Sequence, residues 1–175
     1  GTIPIEAALI ARKIAPGINR SFSIVAWQGV DLAAWTDLFR EARAGQLPAS
    51  PVVIFGSDRD KGAIAASTAN AERAGVKGDV EFTQRSLSAI IPPATPGLVA
   101  TNPPYGMRAS PKADVRNLYA QLGNVARTKL VGWRLALFSA QDRLTAEVKL
   151  ETAELFQTTN GGIRISARAS DVIAP

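Results

Sequence analysis

Two adjacent prolines, Pro103 and Pro104, constrain the fold of this chain more than any other pair of residues. They follow an apolar run, Gly97 to Ala100, that reads as a buried strand. Neither proline nitrogen carries a proton and each ring holds φ near about −65°, so the strand must stop there. The carbonyls of Asn102 and Pro103 are then held on a stiff turn just past the strand's carboxyl end. Tyr105 supplies a flat ring beside them, and Gly106 lets the backbone leave tightly. In an open α/β sheet, the crevice outside the carboxyl ends of the strands is where ligands bind. A rigid row of acceptors next to an aromatic face suits a planar group carrying an NH2. The alternative is a Pro-rich turn that only ends a strand, and these four residues by themselves leave both open.

The rest of the chain supplies a sheet for that turn. Val52 to Phe55 is a continuous, largely β-branched run of the kind found in buried parallel strands. Val80 to Thr83 and Gly132 to Ser139 read as further strands, the latter buried. Helical patterns lie between them, over Lys61 to Ala74 with Gly75 as its stop, Lys112 to Lys129, and Asp142 to Lys149. Val115, Leu118, Tyr119 and Leu122 share one face of the second of these. Ala153 to Thr158 and Ile163 to Ala169 flank Asn160-Gly161-Gly162, a hairpin signal. Alternating strands and helices with a closing hairpin predict an α/β fold, mostly parallel with an antiparallel end.

At the start, Gly1-Thr2 reads as a loop entering an apolar helix that tolerates Pro4 in its first turn and closes before Pro16-Gly17. Residues 18–50 look like an excursion inserted into the domain. Asp31 can cap a helix there, on which Leu32, Trp35, Leu38 and Phe39 follow helical spacing, with Trp35 and Phe39 as packing residues.

Composition narrows the chemistry. The 175 residues suffice for one domain with a core. Cysteine and histidine are both absent, which removes disulfides, Cys/His zinc sites, thiol nucleophiles and histidine bases. No metal site is expected. Chemistry must run on amides, carboxylates, hydroxyls and aromatics, or on a bound cofactor. No apolar stretch reaches the length of a membrane span, no signal peptide opens the chain, and cytoplasm is the expected compartment. Twenty Lys and Arg against 15 Asp and Glu give a net charge of +5, which modestly favours a polyanionic partner.

Beside the turn, three groups of side chains are candidates for a site. Asp58 follows a strand at the level of Asn102, where a carboxylate commonly accepts from ribose hydroxyls. Asp60 fits the competing job, the cap of the next helix, better than Asp58 does. Gly1 and Thr2 have the composition of the tail of a phosphate or cofactor loop. Arg108 and Lys112, with Arg116, Arg127 and Lys129 behind them, are basic residues downstream of the turn. Arg108 is the foremost candidate for a phosphate contact; a solvated helix face is the plainer explanation for the last three.

These pieces occur in an order that resembles a known family. Gly1-Thr2-Ile3-Pro4-Ile5-Glu6-Ala7-Ala8, Gly56-Ser57-Asp58-Arg59-Asp60, Ala69-Asn70-Ala71-Glu72-Arg73-Ala74-Gly75-Val76, Thr101-Asn102-Pro103-Pro104-Tyr105-Gly106, Asn117-Leu118-Tyr119-Ala120-Gln121-Leu122-Gly123 and Gly132-Trp133 follow one another. Together they resemble the catalytic domain of the THUMP-associated RNA methyltransferases, which modify the exocyclic N2 of guanosine in ribosomal or transfer RNA. The likeness is weakest over residues 23–51 and after Ala140. Asn-Pro-Pro-Tyr alone is shared with DNA and protein methyltransferases.

The resemblance implies a Rossmann-like class I methyltransferase fold and S-adenosylmethionine as cofactor. Gly1 and Thr2 would end its glycine loop, Asp58 would bind the ribose, Arg59 would lie by the adenine, and Asn102 would border the cofactor as well as the substrate. Asn102 and the Pro103 carbonyl would take hydrogen bonds from the target amine, ahead of Pro104, and Tyr105 would stack on the base. Ser86 stands where the family usually has an acid on the adenine amine, a departure bearing on cofactor affinity. The resemblance also implies that residues 1–175 form a catalytic domain lacking its first strand, which in the family lies between the strands ending at Phe55 and Ala100. A longer polypeptide with an upstream THUMP-like RNA-binding region is therefore expected, and the chain as given is expected to be inactive. The rival readings are a DNA adenine-N6 methyltransferase and a non-catalytic methyltransferase-like module that binds RNA or protein.

Overall fold

The computed structural model describes residues 1–93, 95–105 and 112–175, with residues 112–114 described by backbone alone. The chain forms two compact parts, Gly1–Gln84 and Arg85–Pro175.

In the first part, helix α1 (Thr2–Ala11) begins on Gly1. Pro4 sits in its first turn, where a missing N–H forfeits no intrahelical bond. The helix ends well short of Pro16. Lys13 takes φ of 56°, and the N–H groups of Lys13 and Ile14 fold back to the carbonyls of Ile10 and Leu9, at 2.9 Å each. Helix α2 (Leu32–Ala44) is capped by Asp31, whose carboxylate accepts from the N–H groups of Ala33 and Ala34 at 2.9 and 3.0 Å. Trp35 packs edge-on against Phe22, with ring centres 5.4 Å apart, and lies 6.3 Å from Phe39. These aromatics are packing residues, as their spacing suggests.

Strand β1 (Ile54–Asp58) pairs in parallel with β2 (Val80–Gln84), and α3 (Lys61–Arg73) connects them. The expected strand is displaced: it begins at Ile54, not Val52, and runs through Asp58. Nor is it buried. Val53 and Phe55 are 78% and 47% exposed. The reason is one-sided cover. Ile5 and Ala8 of α1 and Ala71 of α3 pack with Ile54, Val80 and Phe82, leaving the Phe55 side of the strand pair bare.

The second part holds a four-stranded sheet in the order β3-β4-β6-β5. β3 (Leu98–Thr101) pairs in parallel with β4 (Arg134–Ser139), and the antiparallel hairpin β5 (Thr152–Asn160) and β6 (Ile163–Ser170) completes it. Asn160 opposes Ile163 across Gly161 and Gly162, which adopt φ of 55° and 80°. Two successive positive φ values define the tight turn whose twist matches a hairpin, and glycine takes them without strain. Helices α4 (Lys112–Lys129) and α5 (Asp142–Glu147) cover one face of the sheet. Val115, Tyr119, Leu122, Val125 and Ala126 of α4, with Leu130 just after it, meet Leu135 and Leu137 of β4 there. Each such large apolar side chain contributes about 1.5–3 kcal/mol by leaving water. β3 is less buried than its sequence predicts, with Leu98 58% exposed, because only its Val99 side faces that core. β4 begins one residue after Trp133, which remains half-buried.

The two sheets together give an α/β architecture of parallel pairs with an antiparallel end. Among the described residues, β1 pairs only with β2 and β3 only with β4.

Candidate active site

The Asn-Pro-Pro-Tyr turn leaves the carboxyl end of β3, one residue after Thr101. Pro103 is buried, whereas Asn102 and Pro104 are exposed and Tyr105 is half-buried. Pro103 thus anchors the turn, while Asn102 and Pro104 face outward. Tyr105 curls back over its own turn, and its hydroxyl donates to Asn102 Oδ1 at 2.5 Å. An amide oxygen has two acceptor directions. The tyrosine hydroxyl uses one, which fixes the orientation of the Asn102 amide and leaves the second for another donor. Sequence reasoning assigns Tyr105 a stacking ring alone; its hydroxyl has this further contact.

Two residues that sequence reasoning misses hold Tyr105. Gln141 Nε2 donates to the Tyr105 carbonyl at 2.7 Å, and Asn160 Nδ2 donates to the Tyr105 hydroxyl at 3.3 Å. They lie 36 and 55 residues further along the chain. Below them, Tyr119 of α4 is fully buried. Burial pushes its phenol pKa up, the Ser139 hydroxyl lowers it in part, and the nearby Tyr105 adds to the rise. Ser139 itself is turned to the Gln141 carbonyl at 3.1 Å, and among the described residues the Tyr119 oxygen has no hydrogen-bond partner in reach.

Among the expected nucleic-acid contacts, Arg108 lies outside the described residues, as does Gly106, and Lys112 is described only as the first backbone position of α4. The three basic residues behind them are not a merely solvated face. Arg116 pairs with Glu147 of α5, with Nε 2.9 Å from its carboxylate. Arg127 donates to the carbonyls of Val148 and Lys149 at 2.7 and 3.1 Å, and Lys129 Nζ donates to that of Ser88 at 2.7 Å. The first two tie α4 to α5 and to the turn that ends it. Ser86 is exposed, and its hydroxyl lies 3.2 Å from that of Ser88.

In the first part, Asp58 is the last residue of β1 and Arg59 follows it, both exposed. Asp58 Oδ1 accepts from the Asp60 N–H at 2.9 Å, while Asp60 caps α3 through the Ala63 N–H at 2.6 Å. Asp58 is therefore not spent on the helix. The Arg59 carbonyl accepts from Gln84 Nε2 at 3.1 Å, joining the carboxyl ends of β1 and β2. Gly1 meets α3 closely: a Cβ there would come within 2.6 Å of Ser67. Thr2 is exposed in the first turn of α1.

The family model described as "RMKL-like, methyltransferase domain" matches residues 1–168. The chain belongs to this family. A relative named ribosomal RNA large subunit methyltransferase K/L, from Shewanella baltica (strain OS155), is 36% identical over 167 residues, which are 93% of this chain and 24% of that protein. The chain thus spans about a quarter of the length of the curated relatives it matches. Among solved structures, one described as a methyltransferase complexed with SAH superposes with a TM-score of 0.87 at 26% identity, covering 98% of this chain and 45% of that one. A predicted N6-adenine-specific DNA methylase from Listeria monocytogenes gives 0.80 at 28%, covering 100% and 44%. The fold is accordingly the Rossmann-like class I methyltransferase fold that the α/β alternation and hairpin suggest. For an RMKL-like domain, the donor sets present suit the expected cofactor. Asp58 offers an exposed carboxylate at the end of a parallel strand, with one oxygen on the following loop and the other without a partner among the described residues.

Proposed function

We propose that this RMKL-like domain is the catalytic part of a longer enzyme that transfers a methyl group from S-adenosylmethionine to an exocyclic base amine of RNA, guanine N2 of ribosomal RNA foremost and transfer RNA next. The observation that carries the reading is the Asn102 amide, exposed at the carboxyl end of β3 and held in one orientation by Tyr105. The relatives named as ribosomal RNA methyltransferases and the neighbour crystallised with SAH support the substrate class and the cofactor.

An amine on an aromatic ring is a weak nucleophile because its lone pair is delocalised into the ring. Asn102 Oδ1 and the Pro103 carbonyl accept its two hydrogens and favour the pyramidal form, in which the lone pair points out of the plane. Pro103 and Pro104 keep those acceptors from turning away, so little reorganisation is needed as charge develops. Tyr105 stacks on the extruded or unpaired base through its ring while its hydroxyl keeps Asn102 oriented. Asp58 holds the ribose of the cofactor, with Arg59 and Ser86 toward its adenine and Gly1 and Thr2 at the end of its loop. S-adenosylmethionine supplies an electrophilic methyl group on sulfur. Arg108 and Lys112 neutralise backbone phosphate. Among the described residues β1 and β3 each pair on one side only, which supports a further strand from upstream, and a THUMP-like module upstream of that strand would select the RNA in the cytoplasm.

The Listeria neighbour favours a second reading, methylation of adenine N6 in DNA. Labelled methyl transfer by the full-length protein separates the two: label in RNA is expected, and label in DNA alone would sink the first. Asn102→Ala is expected to lower kcat by about 100-fold or more. Undiminished transfer by that variant would show that the amide does not hold the amine. A protein that binds RNA and cofactor without turnover would be the non-catalytic module.

A further inference from the structure

We propose that Gln141 and Asn160 are positioning residues that lock Tyr105, and through it Asn102, in the geometry that receives the base. The inference rests on the reading of the Asn102 to Tyr105 turn given above.

Gln141 occupies the cap position at the start of α5, yet its side chain makes no capping bond. Glutamine is a poor residue for that place, where a short hydroxyl or carboxylate side chain would satisfy the first N–H groups. The side chain instead reaches across to the Tyr105 carbonyl at 2.7 Å. Its amide cannot flip without loss. Oε1 accepts from Arg143 Nε at 2.7 Å, so Nε2, the donating end, is the one directed at Tyr105. The backbone of Gln141 is pinned as well, through Ser139 Oγ, which lies 3.3 Å from its N–H and 3.1 Å from its carbonyl. The chain of contacts thus runs from Arg143 through Gln141 to the Tyr105 backbone.

Asn160 acts on the other end of the same residue. It stands at the tip of the β5–β6 hairpin, paired with Ile163 across the two glycines. Its Nδ2 donates to the Tyr105 hydroxyl at 3.3 Å, so that oxygen accepts from Asn160 and donates its own proton to Asn102 Oδ1. A phenolic oxygen left without that donor could turn its proton elsewhere, and the Asn102 amide would lose its orienting partner. Backbone and hydroxyl of Tyr105 are thereby fixed from two separate elements. A reacting group misplaced by about 1 Å can lose about 100-fold in rate.

The test uses the full-length protein carrying Gln141→Glu and Asn160→Ala singly. Gln141→Glu keeps the size of the side chain and its acceptor for Arg143 but removes the donor to the Tyr105 carbonyl. It is expected to lower kcat for RNA methylation by about tenfold or more, with the affinity for S-adenosylhomocysteine and the thermal midpoint unchanged. Asn160→Ala is expected to lower kcat less, its contact being longer and exposed. A second readout needs no turnover: in protein labelled with 3-fluorotyrosine, the Tyr105 fluorine resonance, assigned by its loss in Tyr105→Phe, should broaden or split in both variants. Wild-type kcat together with an unchanged resonance in Gln141→Glu would overturn the proposal. Should the wild-type protein methylate no RNA, the functional reading fails, and the fluorine signal alone then decides: broadened supports the brace, unchanged refutes it.

Discussion

Asp58 and Asp60 stand two residues apart and do different work. Asp60 Oδ1 caps α3 through the Ala63 N–H at 2.6 Å, whereas Asp58 Oδ1 accepts, among the described residues, only from the loop that follows it. Asp60→Ala should therefore cost about 1 kcal/mol of stability, the usual loss for an aspartate cap. Asp58→Ala should change stability by less than about 0.5 kcal/mol. It should instead weaken S-adenosylhomocysteine binding by about 10- to 100-fold, the worth of hydrogen bonds to a charged acceptor. Urea denaturation and calorimetric titration of the two variants check both halves. A fall in stability confined to Asp58→Ala would reverse the assignment.

At the scale of elements, α4 and the end of α5 are packed too closely for a side chain at one point. A Cβ on Gly123 would lie 1.8 Å from the Val148 carbonyl oxygen. Alanine in place of glycine normally strengthens a helix by about 1 kcal/mol. Here overpacking against rigid backbone costs about 3 kcal/mol, so Gly123→Ala should be net destabilising by about 2 kcal/mol. Thermal or urea unfolding measures it, and a stabilised variant would contradict the packing. The alternation of strand and helix was legible in the chain, because periods of two and of roughly 3.6 residues leave different apolar patterns. Burial was less so. Val52 to Phe55 is apolar throughout, and nothing in that run says that the helices cover one side of β1 only. The turn itself could be found because two prolines announce it. Its supports could not, since Gln141 and Asn160 reach Tyr105 from 36 and 55 residues away, and neither type is unusual where it occurs.

For the molecule as a whole, an RMKL-like methyltransferase domain carries the candidate substrate turn on the sheet of one compact part and the candidate ribose carboxylate on the sheet of the other. Six segments, the loops after β1 and β3 among them, follow one another in the order of the family that the sequence resembles, which is why a turn that is ambiguous by itself acquires a chemical meaning from its neighbours. The chain spans about a quarter of the length of the curated relatives it matches. The central claim is that this domain methylates guanine N2 in RNA. Mass-spectrometric nucleoside analysis of ribosomal and transfer RNA from cells lacking the full-length protein tests it most directly. Loss of N2-methylguanosine from one RNA is expected, restored by the wild-type gene and not by the Asn102→Ala form. An unchanged nucleoside profile, or restoration by the Asn102→Ala form, would contradict it.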